Sequence, residues 1–126
     1  MNWIYRTTEI KELFQVPEKA IGFVYIISNL DTNQWYIGKK SLYSHITKPP
    51  LKGYKRKRKV TKESDWKTYM SSSDIVKEWD NPHKEILEFA YSKKELTYLE
   101  TKYLFQFDAL EDPLCVNNNI LGKFFK

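Results

Sequence analysis

Hydrophobic and polar positions along the chain switch between two periods, and the switches mark the predicted elements. Residues 7–14, TTEIKELF, place Ile10, Leu13 and Phe14 at helical spacing behind Thr7 or Thr8 as a cap, which predicts a short N-terminal helix ended by Pro17. Residues 20–28, AIGFVYIIS, are β-branched and aromatic and predict a buried strand. Turn chemistry at 29–33, NLDTN, separates it from a second short strand at 34–38, so the two form a hairpin with a loop of about five residues. Residues 65–70 read as a short strand or an extended piece. Ser71, Ser72 and Ser73 then cap a helix over 74–79, ended by Asn81-Pro82. A third strand follows over 84–91. The clearest helix runs over 93–110, opened by the capping box Ser92-x-x-Glu95 and stopped by Asp112-Pro113. Strands interleaved with helices predict one small α+β domain across 1–126, with no internal repeat.

Composition narrows the class. With 126 residues, 41% hydrophobic and 29% charged, the chain can bury a core. No stretch approaches the roughly 18 uncharged apolar residues of a membrane span, and charges interrupt the apolar N-terminal positions where a signal peptide has its core. Cys115 is the only cysteine, which excludes an internal disulfide and a cysteine-based zinc cluster; with His45 and His83 alone to add, no structural zinc site is expected. These features predict a soluble, cytoplasmic protein with no membrane partner. Charge changes the picture more. Ten of the 21 basic residues and no acidic one lie between positions 39 and 62: Lys39, Lys40, Lys48, Lys52, Lys55, Arg56, Lys57, Arg58, Lys59 and Lys62. The rest of the chain has 11 basic against 16 acidic residues, a net of −5. A like-charged run is commonly a solvated loop, but concentrated on an otherwise acidic domain it suits a polyanion, whose neutralised phosphates release counterions. Patterned segments flank it, so it reads as a basic insertion after the second strand. Tyr43, Tyr54 and Trp66 interleave with it, either to stack on an unpaired base or simply to pack.

Two further features carry chemistry. At about 100° per residue, Glu100 falls about 40° from Leu96, inside the apolar stripe of Leu96, Leu99, Tyr103, Phe107 and Leu110. A carboxylate there costs several kcal/mol of desolvation unless it is paired or metal-bound; the plainer alternative puts it at the stripe's margin, reaching solvent or a lysine. Tyr25 and Tyr36, 11 residues apart, come side by side in the predicted hairpin, an arrangement more often packing than chemistry.

Gly22-Phe23-Val24-Tyr25 followed by Tyr36-Ile37-Gly38, then Glu100 on a later helix and an asparagine in CVNNN near the end, resembles the GIY-YIG nuclease family in order and spacing over nearly the whole chain. The run YIGKKS with its basic insertion is similar to small GIY-YIG proteins of bacteriophages. The resemblance implies a small α+β domain with a central three-stranded antiparallel sheet flanked by helices, and a metal-dependent endonuclease acting on DNA, encoded by a phage or mobile element. Glu100 is then the sole carboxylate on one Mg²⁺ or Mn²⁺ ion, whose other ligands are waters and phosphate oxygens. Tyr25 accepts the proton of the attacking water, with Lys39 as the cation that lowers its pKa from about 10. Tyr36 orients the water or the phosphate, and Asn117 or Asn118 braces the site. Lys48, Lys52, Lys55 to Lys59 and Lys62 track the DNA backbone. One element is missing. The family's arginine, about ten residues after the second tyrosine, is replaced by Ile46, leaving Lys40, then Arg56, Arg58 or His45, to grip the phosphate. That gap keeps an alternative open, a catalytically silent module binding nucleic acid or protein. Trp79, Tyr98 and Phe105 leave room for a homodimer or a protein partner.

Overall fold

The computed structural model describes residues 1–126. Its centre is the predicted hairpin. β3 (Gly22–Asn29) and β4 (Trp35–Ser41) pair antiparallel around a five-residue loop, and β7 (Pro82–Ala90) pairs antiparallel with β3 on the other side. The sheet does not stop at those three strands. It has five, in the order β2-β1-β7-β3-β4, with β1 (Trp3–Tyr5) parallel to β7 and β2 (Thr8–Ile10) antiparallel to β1.

The predicted N-terminal helix is therefore corrected. Residues 3–10 form a tight hairpin that turns at Arg6, which takes a positive φ of 58°. The helical spacing of Ile10, Leu13 and Phe14 is outweighed by tertiary burial. Trp3 and Ile10 enter the core as a cross-strand pair, while Phe14 is 86% exposed. Only one 3₁₀ turn, Leu13–Gln15, follows. Residues 65–70 are likewise not a strand: Thr68 and Tyr69 donate to the carbonyls of Asp65 and Trp66 in a turn that seats Trp66 fully inside the core.

The basic segment is structured too. β5 (Tyr43–Lys48) and β6 (Arg58–Glu63) form a separate antiparallel ribbon, with Pro49-Pro50 ending the first strand. Its root is the buried Leu42, whose amide donates to Ile21 O and whose carbonyl accepts from Ser64 N.

Each face of the main sheet has its own core. On one, Trp3, Phe23, Tyr25, Ile27 and Ile86 pack beneath Trp66 and Val76, the latter from the single turn of α1 (Asp74–Lys77). On the other, Val24, Ile37 and Ala90 meet Leu96, Leu99 and Leu104 of α2 (Lys93–Gln106). The Ser92 hydroxyl caps α2 by accepting from Glu95 N, while the Glu95 carboxylate reaches Tyr91 N rather than Ser92 N. This helix ends at Gln106, a turn earlier than predicted. Asp108 takes a φ of 53°, and Asp108 N and Ala109 N bond back to the Phe105 and Leu104 carbonyls, a Schellman ending. A last two-stranded hairpin, β8 (Asn119–Ile120) with β9 (Phe124–Phe125), closes the chain. No helix is long and apolar enough to cross a membrane.

Candidate active site

β4 lies at the edge of the main sheet, so its outer side has no strand partner along its length. Part of that edge is covered by the segment before β8. Trp35 N donates to Leu114 O, and Val116 N donates to Trp35 O. At the next pair the backbone ladder is continued by a side chain. The Asn117 amide accepts from Ile37 N and donates to Ile37 O, both at 2.9 Å. A carboxamide carries one donor and one acceptor at peptide-like spacing, so it can stand in for a strand. Of the two asparagines left open by the sequence, Asn117 is the one that braces β4; Asn118 is exposed and accepts from the neighbouring Asn119.

Beyond that brace the edge opens into a cleft of about 590 Å³. Tyr36 and Lys39 of β4 line it with Asn117 and Asn118, Ser72 to Asp74 of the α1 cap, and Thr97 and Glu100 of α2. Successive strand residues point to opposite faces, so Tyr36 and Lys39 lie on different sides of the sheet. They share one cleft because it wraps around a free edge.

Tyr25 is not at the cleft wall. The strand register pairs it with Gly38, and Tyr36 with Ile27, so the two tyrosines are diagonal rather than opposite, with ring centroids 6.4 Å apart. Tyr25 lies across Gly38: a Cβ on that glycine would run into Tyr25 Oη and sit 2.6 Å from its Cζ. Glycine is required here for close approach. Tyr25 is only 1% exposed. Burial, and then the phenols of Tyr36 and Tyr69, hold its pKa far above the ordinary phenol value. The expected lowering by Lys39 is not what the geometry gives. Lys39 points to the α2 face, where its ammonium donates to Thr97 Oγ1 at 2.9 Å.

Tyr36 is half-buried, and burial raises its pKa as well, with the Ser72 hydroxyl working against the rise. Glu100 is also half-buried. Its pKa is raised by desolvation, partly opposed by Lys39, yet its carboxylate makes no hydrogen bond and no ion pair with the protein. A desolvated carboxylate left unpartnered in a polar cleft is a vacant acceptor for a cation. No cluster of three acidic, histidine or cysteine side chains exists to form an all-protein cage. The donor set thus fits an ion held by one carboxylate that keeps most of its waters, the habit of Mg²⁺.

The family model "Putative endonuclease segE, GIY-YIG domain" matches residues 3–120. The chain belongs to the GIY-YIG nuclease family. No curated protein and no solved structure matches it.

The family's second motif, Tyr36-Ile37-Gly38, now has a local reason at each position. Tyr36 faces the cleft, Ile37 is buried with its backbone held by Asn117, and Gly38 makes room for Tyr25. For the arginine that this GIY-YIG chain lacks, the four expected substitutes lie apart from the cleft wall. Lys40 is on the tyrosine face, 2.5 Å from Asp65 and over the Tyr69 ring at 4.1 Å. His45 bonds Thr61 on the β5–β6 ribbon, and Arg56 and Arg58 are exposed at its far end with Lys48, Lys52, Lys55, Lys57 and Lys59. Lys62 is exposed on β6. Trp66 is core, whereas Tyr54 is exposed beside the basic turn. Sequence reading missed Thr97, Ser72, Ser73 and Asp74. Thr97 stands three residues before Glu100 on one helix, so helical spacing alone could have found it. Nothing local marks the serines, which reach the cleft through long-range packing.

Proposed function

We propose that this protein is an endonuclease that hydrolyses DNA phosphodiester bonds with one Mg²⁺ or Mn²⁺ ion, in a phage or mobile-element setting such as homing, host-DNA degradation or exclusion of a competing phage. The observation that carries this reading is the unpartnered, desolvated Glu100 carboxylate sharing a cleft with Tyr36, Lys39 and Asn117. Glu100 would hold the ion. When bound, it supplies positive charge to the scissile phosphate and the leaving 3′ oxygen.

The remaining roles belong to the chain's own groups. Tyr36, at the cleft wall, positions the attacking water and the phosphate through its hydroxyl. A phenol is neutral at pH 7, and burial of Tyr36 moves its pKa further up, so it acts as a neutral donor and acceptor. Tyr25 packs behind Tyr36 and acts as a positioning residue. Lys39 meets a phosphate oxygen from the α2 side, and Asn117 fixes the strand between them. The β5–β6 ribbon supplies backbone charge.

The test is incubation of the purified protein with supercoiled plasmid, in Mg²⁺, in Mn²⁺ and in EDTA, beside Glu100→Gln. Metal-dependent nicking or linearisation is expected, lowered in the variant by about 100-fold or more, with DNA affinity changed by less than about 3-fold. Retained cleavage in Glu100→Gln would refute the assignment. A second reading rests on one observation, that Lys39 is the only cation lining the cleft. A wild-type protein that binds DNA but cuts under no metal is the catalytically silent module instead.

A further inference from the structure

The lip of the cleft carries two bulky apolar side chains that no core explains. Ile75 of α1 is 55% exposed, and Leu121, at the tip of the β8–β9 hairpin, is 54% exposed; both line the cleft. They stand on opposite sides of the sheet edge. Val76, next to Ile75, belongs to the core on the tyrosine face, and Ile120, next to Leu121, belongs to the core under α2.

Leu121 is also in an unfavourable backbone. The hairpin turn is closed by Lys123 N on Ile120 O, with Leu121 at φ 58° and Gly122 at φ 64°. That pair of signs is the pattern of a type I′ turn, for which Asn-Gly is the preferred sequence. A leucine in the left-handed region costs backbone energy that asparagine largely avoids. Its side chain recovers little of this by burial. Fold stability therefore favours Asn at 121, and the chain has Leu instead.

Around it the cleft offers hydroxyls, amides, Lys39 and carboxylates, which suit phosphate and sugar oxygens. An exposed leucine matches none of those groups. On DNA its complementary surfaces are base faces and base edges, reached where a step is partly unstacked. We infer that Leu121, with Ile75 facing it across the cleft, is an apolar wedge that unstacks a base step beside the scissile phosphate and so sets the backbone into the cleft. The inference rests on the DNA reading given above and extends it from phosphate contact to base contact.

The test separates the two. Permanganate oxidises thymines that have lost stacking, and needs no cleavage. A linear fragment of the plasmid is bound by Glu100→Gln and by Glu100→Gln/Leu121→Asn, then treated with permanganate. The first complex should show reactive thymines and the second at least about 5-fold less reactivity, as expected when the wedge that drives unstacking is removed. Alone, Leu121→Asn should raise Tm by about 2–4 °C through relief of the turn. Its plasmid nicking should fall about 10-fold, as should that of Ile75→Ser, which leaves the turn untouched. Equal permanganate reactivity in the two complexes, or none in either, overturns the wedge. So does a more stable Leu121→Asn that nicks at the wild-type rate. Reactivity lost in the double variant while wild type cuts nothing keeps the wedge and removes the nuclease.

Discussion

Lys84 offers the sharpest physical test of the core beneath the site. It lies on β7 at 1% exposure, in a row across the sheet with Trp3, Ile27 and Tyr36. Its ammonium sits over the Trp3 ring at 4.3 Å and pairs with no carboxylate. Burial alone pulls its pKa from 10.5 down to about 8. That depression corresponds to about 3.5 kcal/mol against the charged form, at about 1.4 kcal/mol per pH unit. The desolvated indole face returns about 1–2 kcal/mol of that, which leaves a net penalty of about 2 kcal/mol at pH 7. Between about pH 8 and the unfolded lysine value of about 10.4, the unfolded chain binds more protons, so the penalty is relieved as pH rises. The raised pKa values of Cys115 and the tyrosines act in the opposite sense at alkaline pH. They are common to wild type and variant, so the difference between the two isolates Lys84. Lys84→Met, of similar volume and without charge, should be more stable by about 2 kcal/mol at pH 7 in urea unfolding. By pH 9 the gap should shrink to about 1 kcal/mol. A variant that is less stable at pH 7, with a gap independent of pH, would show that the ammonium is solvated and refute the reasoning.

Two other perturbations separate residues that composition treats alike. Asn117→Ala removes both partners of the buried Ile37 peptide groups and should cost about 2–4 kcal/mol of stability, with cleavage lost as β4 loosens, whereas Asn118→Ala should stay within about 0.5 kcal/mol by the same thermal melts. Equal losses would put the brace elsewhere. Neutralising Lys55, Arg56, Lys57, Arg58 and Lys59 together should weaken DNA binding and lower the slope of log K against log salt by up to about 4.5. An unchanged slope in that titration would make the ribbon a solvated appendage.

The chain shows some of this architecture openly and hides the rest for definable reasons. β3, β4 and α2 are legible because their patterns are local: a β-branched run, a polar turn, a period near 3.6. Glu100 stands out for the same reason, as a charge where that period demands an apolar residue. The N-terminal hairpin is hidden, since Ile10, Leu13 and Phe14 satisfy a helix equally well. What decides between the two is Trp3, which reaches the core only by pairing beside β7. The basic ribbon is hidden because charge masks its one apolar cross-strand pair, Ile46 with Val60. Adjacency of the tyrosines could be foreseen, but not which of them meets the cleft. That depends on strand register: pairing Tyr25 with Gly38 buries the first tyrosine and leaves the second at the edge.

An edge strand is ordinarily a liability, and here it is the condition for the site. In the interior of a sheet, Tyr36 and Lys39 would be sealed into separate cores, one under α1 and one under α2. Only at the outer edge of β4 can a phenol from one face and an ammonium and carboxylate from the other meet the same ligand. The same edge would invite pairing with another strand if its peptide groups were bare. Leu114, Val116 and the Asn117 amide occupy it up to Ile37 and stop short of Lys39. The cleft that remains holds a single lysine, while Lys40 is tied to Asp65 and Tyr69 on the tyrosine face. One lysine beside a desolvated glutamate cannot by itself neutralise a phosphodiester gaining charge. On the proposed reading, a cation at Glu100 supplies most of that neutralisation while the ribbon's lysines and arginines hold the DNA backbone, so cleavage should be unusually steep in divalent ion and DNA binding steep in salt.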